Sequence, residues 1–321
     1  MINHHVTDTE KSNYYFNIPK IYVKKAYYLT KERNIVGIDG ITIEEFQSNW
    51  NKNMYKIWRK LSSGNYHPPP FVRETIDFNG KIRVMAIPTV SDSIAQFAVR
   101  LYLKDKIGSI FYNEMYPVKS QKYYRSVVLA VASAHKKCQK YDWVLRLDLR
   151  KFGYSINQQR LLQMISIHLD PQWVVLINRW LKNWQIDRKS FQFERTKGIV
   201  PGTSIGNLLG DLYLHYAFDH WMKINFAHIP FERYGDDILC HCKNEQQAQQ
   251  LLRRIDQRLR RYQLTLNNDK TKIIYCKDGR RTGTYPNTHF NFLKYRFQAR
   301  KVTTRKGISK VVFFPLKFKK Q

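Results

Sequence analysis

The chain has 321 residues, enough for one large or two modest domains, and its 43% hydrophobic and 14% aromatic content excludes a disordered polypeptide. Fifty-five Lys and Arg against 25 Asp and Glu leave a net charge of +30, which calls for a polyanionic partner and strong salt dependence, nucleic acid first. No apolar run reaches the length of a membrane-spanning helix and no charged-then-apolar leader follows Met1, so a membrane or secreted setting is not expected and a cytoplasmic one is.

Residues 1–34 mix Tyr14, Tyr15, Tyr22, Tyr27 and Tyr28 with Lys20, Lys24 and Lys25, read as helical packing with a basic outer face. Gly37-Ile38-Asp39-Gly40 leads into a helix over about 42–61, with Thr42 as N-cap and Glu44 and Glu45 in the first turn. After Pro68-Pro69-Pro70, two apolar runs flank Asn79-Gly80 and predict a hairpin. Lys81 and Arg83 share one face of its second arm, either as a solvated edge or as a grip on a triphosphate. Ile94, Phe97, Ala98 and Leu101 at helical spacing predict a helix over about 90–110. A basic, aromatic stretch with Lys119, Lys122 and Arg125 precedes a further helix at about 127–138.

Trp143 to Leu149 reads as a buried strand ending in Asp148, a metal ligand or a helix cap. Ser155-Ile156-Asn157 starts a helix carrying Leu161, Leu162 and Ile165. Gly198 to Ser204 is a turn opening a helix with Ile205, Leu208, Leu209, Leu212 and Tyr216 inward. Phe231 to Cys242 is an apolar run broken at Gly235-Asp236, a hairpin with Gly suited to a type II′ turn. Adjacent carboxylates at its tip, Asp236 and Asp237, are a solvated turn or, with a divalent cation, an oxygen-ligand platform of the kind Mg²⁺ prefers. Cys240 and Cys242 share a strand face with His241 opposite, so buried thiols are expected rather than a metal clip. With Cys138 and Cys276, these scattered cysteines suit a reducing compartment. Asn244 caps a helix with Arg253, Arg254, Arg258 and Arg261 largely outward; a strand to Tyr275, an apolar stretch at 290–297 and a basic tail from Lys301 follow. The order predicts an α+β fold, an antiparallel sheet with helices behind it. Three carboxylates on central strands of so basic a chain suggest two-metal phosphoryl transfer.

In this order the pieces resemble the reverse transcriptases of the bacterial group II intron-like lineage, over roughly residues 35–297. Gly37–Thr42 resembles the opening motif, and Gly80–Arg83 with Ile87–Asp92 and Gln96 the fingers segment. Leu147-Asp148-Leu149 with Phe152 resembles polymerase motif A, Gly198–Leu214 motif B, and Tyr234-Gly235-Asp236-Asp237 motif C. Leu266-Asn267 with Lys270-Thr271-Lys272 resembles motif D, and Phe292–Tyr295 the primer grip. The resemblance implies a right-hand polymerase: an N-terminal extension (1–34), fingers (35–140), a palm (141–297) and a short basic tail (298–321) with the thumb absent or minimal. It implies two Mg²⁺ ions, replaceable by Mn²⁺, on Asp148 and Asp236 with Asp237 nearby and the Leu149 carbonyl as a further ligand. Lys81 and Arg83 would hold the incoming triphosphate, Lys270 would act on the leaving pyrophosphate, and Gly202 would let backbone approach template or nucleotide. Lys119, Lys122, Arg125 and Lys294 fall to the nucleic acid; Arg233 and Tyr234 fall to the primer end or to support of the hairpin.

Departures from the family pattern carry their own expectations. Pro201 stands where a Gln precedes the motif B glycine, and Ser204, Gly206 and Asn207 replace a proline-serine-proline pattern. Ser93 replaces the arginine of the fingers helix. Gly153, followed by Tyr154, occupies the place of the bulky aromatic that excludes ribonucleotides. These features suit a free-standing, defence-associated (antiphage) reverse transcriptase that copies a dedicated structured noncoding RNA into DNA from dNTPs. Low processivity is expected unless that RNA, the basic tail or a homo-oligomer supplies a clamp. The alternatives are a non-catalytic, maturase-like RNA-binding protein and a polymerase that also accepts ribonucleotides.

Overall fold

The computed structural model describes residues 16, 18–77, 82–116, 123–183, 185–187, 192–193, 197–199, 201–303 and 307–317. Its elements begin with α1 (Lys20–Lys31), α2 (Ile43–Ser48), α3 (Trp50–Ser62), β1 (Phe71–Asp77), β2 (Ile82–Ile87) and α4 (Val90–Ile107). Next come α5 (Tyr123–Cys138), β3 (Trp143–Leu147), α6 (Phe152–Ser155), α7 (Gln158–Ser166), α8 (Pro171–Leu181), β4 (Gln185–Asp187) and β5 (Gln192–Phe193). Then follow α9 (Gly206–Leu214), a wide π-type turn (His215–Asp219), α10 (His220–Asn225), β6 (Phe231–Tyr234), β7 (Asp237–Cys242) and α11 (Glu245–Arg261). Strands β8 (Lys272–Tyr275), β9 (His289–Phe292), β10 (Tyr295–Thr303) and β11 (Ser309–Lys317) close the order. The chain divides into two compact units, one of Met1–Lys106, Ile165–Thr196 and Val200–Ile205, the other of Ile107–Met164, Lys197–Ile199 and Gly206–Gln321. No helix among the described residues is long and apolar enough to cross a membrane.

In the first unit β1 pairs antiparallel with β2, from Val72↔Ile87 to Asp77↔Ile82, and parallel with β4, in the sheet order β2-β1-β4-β5. This is the hairpin expected across Asn79-Gly80; the connection itself, Lys81 included, lies outside the described residues. The helix expected over 42–61 is two, because Asn49 (φ −117°, ψ 40°) leaves the helical region. Thr42 still caps the first with a complete capping box to Glu45. The helices close around Asp92, which is 0% exposed. It accepts from Tyr66 Oη (2.9 Å), Trp180 Nε1 (2.9 Å) and Gln96 Nε2 (2.8 Å). All three donors are neutral, so burial pushes the Asp92 carboxyl up.

In the second unit β6-β7-β3-β8 form an antiparallel sheet. Alternate residues of β6 face opposite ways. Glu232 turns to α5, meeting Lys137 Nζ at 2.5 Å and Ser133 Oγ at 2.9 Å, while Arg233 turns to α9 and the π-type turn. Helices therefore cover both faces. That explains why His241, on the α5 side and 2.6 Å from Glu232, is as buried as the free thiols Cys240 and Cys242. A second sheet, β11-β10-β9, packs Phe290, Phe292, Phe297 and Phe313 against Val127, Ala130, Val131 and Ala134 of α5. The segment expected as a basic tail is thus largely strand: β10 and β11 pair from Tyr295↔Lys317 to Thr303↔Ser309. Its lysines hid a β-branched and aromatic run, Val311 to Phe314, in which Phe313 is fully buried in the core.

Candidate active site

The β6–β7 hairpin closes on the pair Tyr234↔Asp237, leaving a two-residue turn in which Gly235 takes φ +60°. Positive φ at the first turn position alone is the type II′ pattern that follows the twist of the strands. The next strand sets the partner carboxylate. β3 pairs with β7 to Leu147↔Ile238, so the following residue, Asp148, comes opposite Asp237. Asp148 is strapped there by the 264–271 segment: its amide donates to Thr271 Oγ1 (3.2 Å), and its carbonyl accepts from Asn267 N (2.8 Å). Leu149, buried, bridges to Leu266 through the bonds of its neighbours, Asn267 N to Asp148 O and Arg150 N to Thr265 O.

The three aspartates sense one another. Partial burial, then Asp236, then Asp148 push the Asp237 carboxyl up to about 6, while Arg146 and Lys270 hold it down. Arg146 Nη2 stands 4.0 Å from Asp237 Oδ1. Sequence reasoning missed this cation, although two residues before Asp148 on a strand means the same face. Lys270, exposed on the strap, is the second cation of the site. Among the described residues no three His, Cys, Asp or Glu side chains enclose a cation by themselves. Mg²⁺ does not require such a cage, since it is held by one or two carboxylates together with substrate phosphates and water. Crowded hard-oxygen ligands with a raised carboxyl fit that cation.

Arg233, assigned in sequence to the primer end or to hairpin support, belongs to the interior. Its side chain is 0% exposed; Nε and Nη2 grip Asp219 at 2.8 and 2.5 Å, and Nη1 reaches Asp211 Oδ1 at 3.0 Å. The same Nη1 donates to the Gly235 carbonyl at 3.1 Å, tying the turn that carries Asp236 to this core. A guanidinium so committed is not presented to nucleic acid, so the primer-end reading is corrected and support of the hairpin is the role this geometry leaves. Burial opposes its charge, but Asp219 and Asp211 outweigh burial and raise its pKa further. Asp211 and Asp219 are eight residues apart, about 80° off one helical stripe. The π-type turn absorbs one residue and brings them back to within about 20°. Carbonyls loosened by that turn are met by Arg258, expected outward, which donates to Tyr216 O (2.9 Å) and Ala217 O (3.2 Å).

The remaining expected site residues are more dispersed. Tyr234 is buried in the α5-side core at 7% exposure, and Lys294 is exposed in the β9–β10 turn at φ +68°. Lys81, Lys119 and Lys122 lie outside the described residues, as do the side chains of Arg83 and Arg125. Gly153 accepts from Ile199 N at 2.7 Å, and a Cβ there would meet only Ile199 O, at 3.7 Å. Tyr154 beside it is exposed. In the first unit Gly202 sits at φ +97°, where a Cβ would come within 2.6 Å of Ala86 O. Its loop is held by Ala86 N to Pro201 O (2.8 Å), Arg33 Nη1 to Gly202 O (3.2 Å) and Ser204 N to Gln96 Oε1 (2.8 Å). Packing against β2 therefore demands this glycine. Gly202→Ala is expected to cost about 1–3 kcal/mol, read as a lowered denaturation midpoint.

The reverse transcriptase (RNA-dependent DNA polymerase) family matches residues 72–298, and the chain belongs to it. It is similar to protein YkfC of Escherichia coli (strain K12), 24% identical over 289 residues, with 78% of this chain and 75% of that protein covered. It is also similar to the group II intron-encoded protein LtrA of Lactococcus lactis subsp. cremoris, 25% identical over 269 residues, with 81% of this chain but 42% of LtrA covered. The chain is an RNA-directed DNA polymerase, a nucleotidyltransferase, and as such joins dNTPs into DNA on an RNA template. Enzymes of this family work with divalent cations such as Mg²⁺.

Proposed function

We propose that Asp148, Asp236 and Asp237 are the catalytic carboxylates and hold two Mg²⁺ ions, with the Leu149 carbonyl as a further ligand. One observation carries this reading: Asp236 and Asp148 both act on Asp237, raising its carboxyl to about 6 at the junction of two central strands. Bound there, the ions would supply a lowered pKa for the attacking hydroxyl and charge stabilisation for the leaving oxygen. The chain's own part is positional. The Thr271 and Asn267 strap fixes Asp148 and Arg233 fixes the Gly235 turn, while Lys270, close enough to influence Asp237, would act on the leaving pyrophosphate. In this reading residues 35–140 act as fingers, with Lys81 and Arg83 on the triphosphate, and 141–297 as the palm. The template is a structured noncoding RNA and the setting antiphage defence, a choice supported by the charge and by the departures at Pro201 and Gly153. Primer extension on RNA with Mg²⁺, with Mn²⁺ and with chelator tests the chemistry; extension that survives chelation overturns it. Sequencing the nucleic acid that copurifies from the host tests the template.

A second reading, relaxed sugar selection, is favoured by the missing side chain at Gly153, where a Cβ would meet only Ile199 O, at 3.7 Å. Gly153→Phe is expected to shift the ratio of deoxy- to ribonucleotide incorporation upward by about tenfold or more, the scale of one steric discrimination. Equal ratios in both proteins would place the sugar gate elsewhere, with Tyr154 next to be examined.

A further inference from the structure

We propose that Arg146 is a built-in competitor for the catalytic metal ions: its guanidinium stands in for them beside Asp237 and is displaced when they bind. This rests on the assignment of Asp237 as a catalytic carboxylate and deepens it. Register sets the contact. Arg146 pairs with Leu239 and Asp148 comes opposite Asp237, so Arg146 and Asp237 are diagonal neighbours on one face of the sheet. Diagonal positions lie within reach of a long side chain, and Arg146 Nη2 ends 4.0 Å from Asp237 Oδ1.

The rest of its surroundings argue against a cation. Val144, Leu145 and Leu147 around it on β3 are fully buried. Directly opposite on β8 stands Lys272, and like charges facing each other across a ladder are unfavourable. The aspartates are what make a guanidinium tolerable here, yet they hold it loosely. Arg233 and Arg281 each grip a carboxylate at 2.5 Å. Arg146 meets no carboxylate but Asp237 among the described residues, and 4.0 Å is too long for a hydrogen bond. Its side chain is 23% exposed, so water can receive it when it leaves. Asp237 itself is fixed in backbone by its pairing with Tyr234, beside a turn tied to Arg233, so one carboxylate faces two claimants. A divalent ion must break the ion pair and then sit beside the guanidinium charge, and both effects lower its affinity. The site would therefore load fully only when a substrate triphosphate adds its own negative charge and oxygen ligands.

The test measures Mn²⁺ binding to the full-length protein, without nucleotide or nucleic acid, from the loss of the free-ion electron paramagnetic resonance signal. Arg146→Met keeps the apolar stem and removes the charge. It should bind Mn²⁺ about fivefold more tightly than wild type, the scale of one partly exposed ion pair. The sign discriminates, because loss of a merely structural residue would weaken binding. Arg146→Lys, which restores a cation, should bring the affinity back toward wild type. Unchanged or weaker binding by Arg146→Met overturns the proposal. If that variant melts below the assay temperature, Arg146→Gln decides by the same criterion. Asp148→Ala with Asp236→Ala separates this proposal from the reading beneath it. That protein should lose Mn²⁺ binding whether or not Arg146 competes. Loss there, with no gain in Arg146→Met, removes only the competitor and leaves the metal site standing. Binding as in wild type by the aspartate variant would sink the metal site, and this proposal with it.

Discussion

Asp236→Ala with Asp237→Ala should abolish template-directed incorporation, a loss on the order of 10³-fold or more, because cation-assisted charge stabilisation is worth several kcal/mol of barrier. The same protein should be no less stable than wild type. In the metal-free enzyme the folded state raises the Asp237 carboxyl to about 6. The ionised form is thus less favourable in the folded chain than in the unfolded one. At pH 7 this group costs stability, and the cost is withdrawn as pH falls through 6 toward the ordinary carboxylate range. Melting temperature without metal should accordingly gain from this site between pH 7 and 5 in wild type, and the gain should be missing in the double variant. Activity lost with stability kept is the signature of residues held against their own repulsion. Extension by the double variant at a tenth of the wild-type rate would remove these carboxylates from the chemistry.

Arg233→Met should give the opposite result, a loss of stability first. Asp219 is fully enclosed and Asp211 nearly so. Removing the guanidinium strands two carboxylates in the interior, and breaking a buried pair in this way costs about 3–5 kcal/mol. Urea denaturation should show the midpoint falling with an unchanged slope. Arg233→Lys keeps the charge but cannot span Asp219, Asp211 and the Gly235 carbonyl together, so it should fall between the two. A midpoint unchanged in Arg233→Met would mean that the network contributes nothing net.

The legible part of this protein was whatever local pattern decides. The Gly235 turn, the Asn79-Gly80 hairpin, the Thr42 cap and the Asp148 strand were each written in a few neighbouring residues. What escaped required partners distant in sequence. Arg233 follows a glutamate and precedes a tyrosine, and nothing local says that Asp211 and Asp219 will enclose it. Helix α8 is absent from the sequence expectations although Trp173, Leu176, Ile177 and Trp180 have helical spacing after Pro171 at the first helical position. The β10–β11 pair looks like a basic tail in sequence because interspersed lysines mask its strand pairing. Lys270 stands out as a cation in the sequence, but its influence on Asp237 depends on the strap formed by Asn267 and Thr271.

The wide turn at His215–Asp219 makes residue count itself a design variable. One residue more than an α-helix would hold is what aligns Asp219 with Asp211, and through Arg233 that alignment reaches the backbone beside Asp236. In any descendant of this chain, loss of a single amino acid there would leave every side chain of the hairpin intact. It would nonetheless swing one carboxylate about 100° around its axis. Substitutions in that helix are matters of chemistry; insertions and deletions are matters of phase, and tolerance to one says little about tolerance to the other.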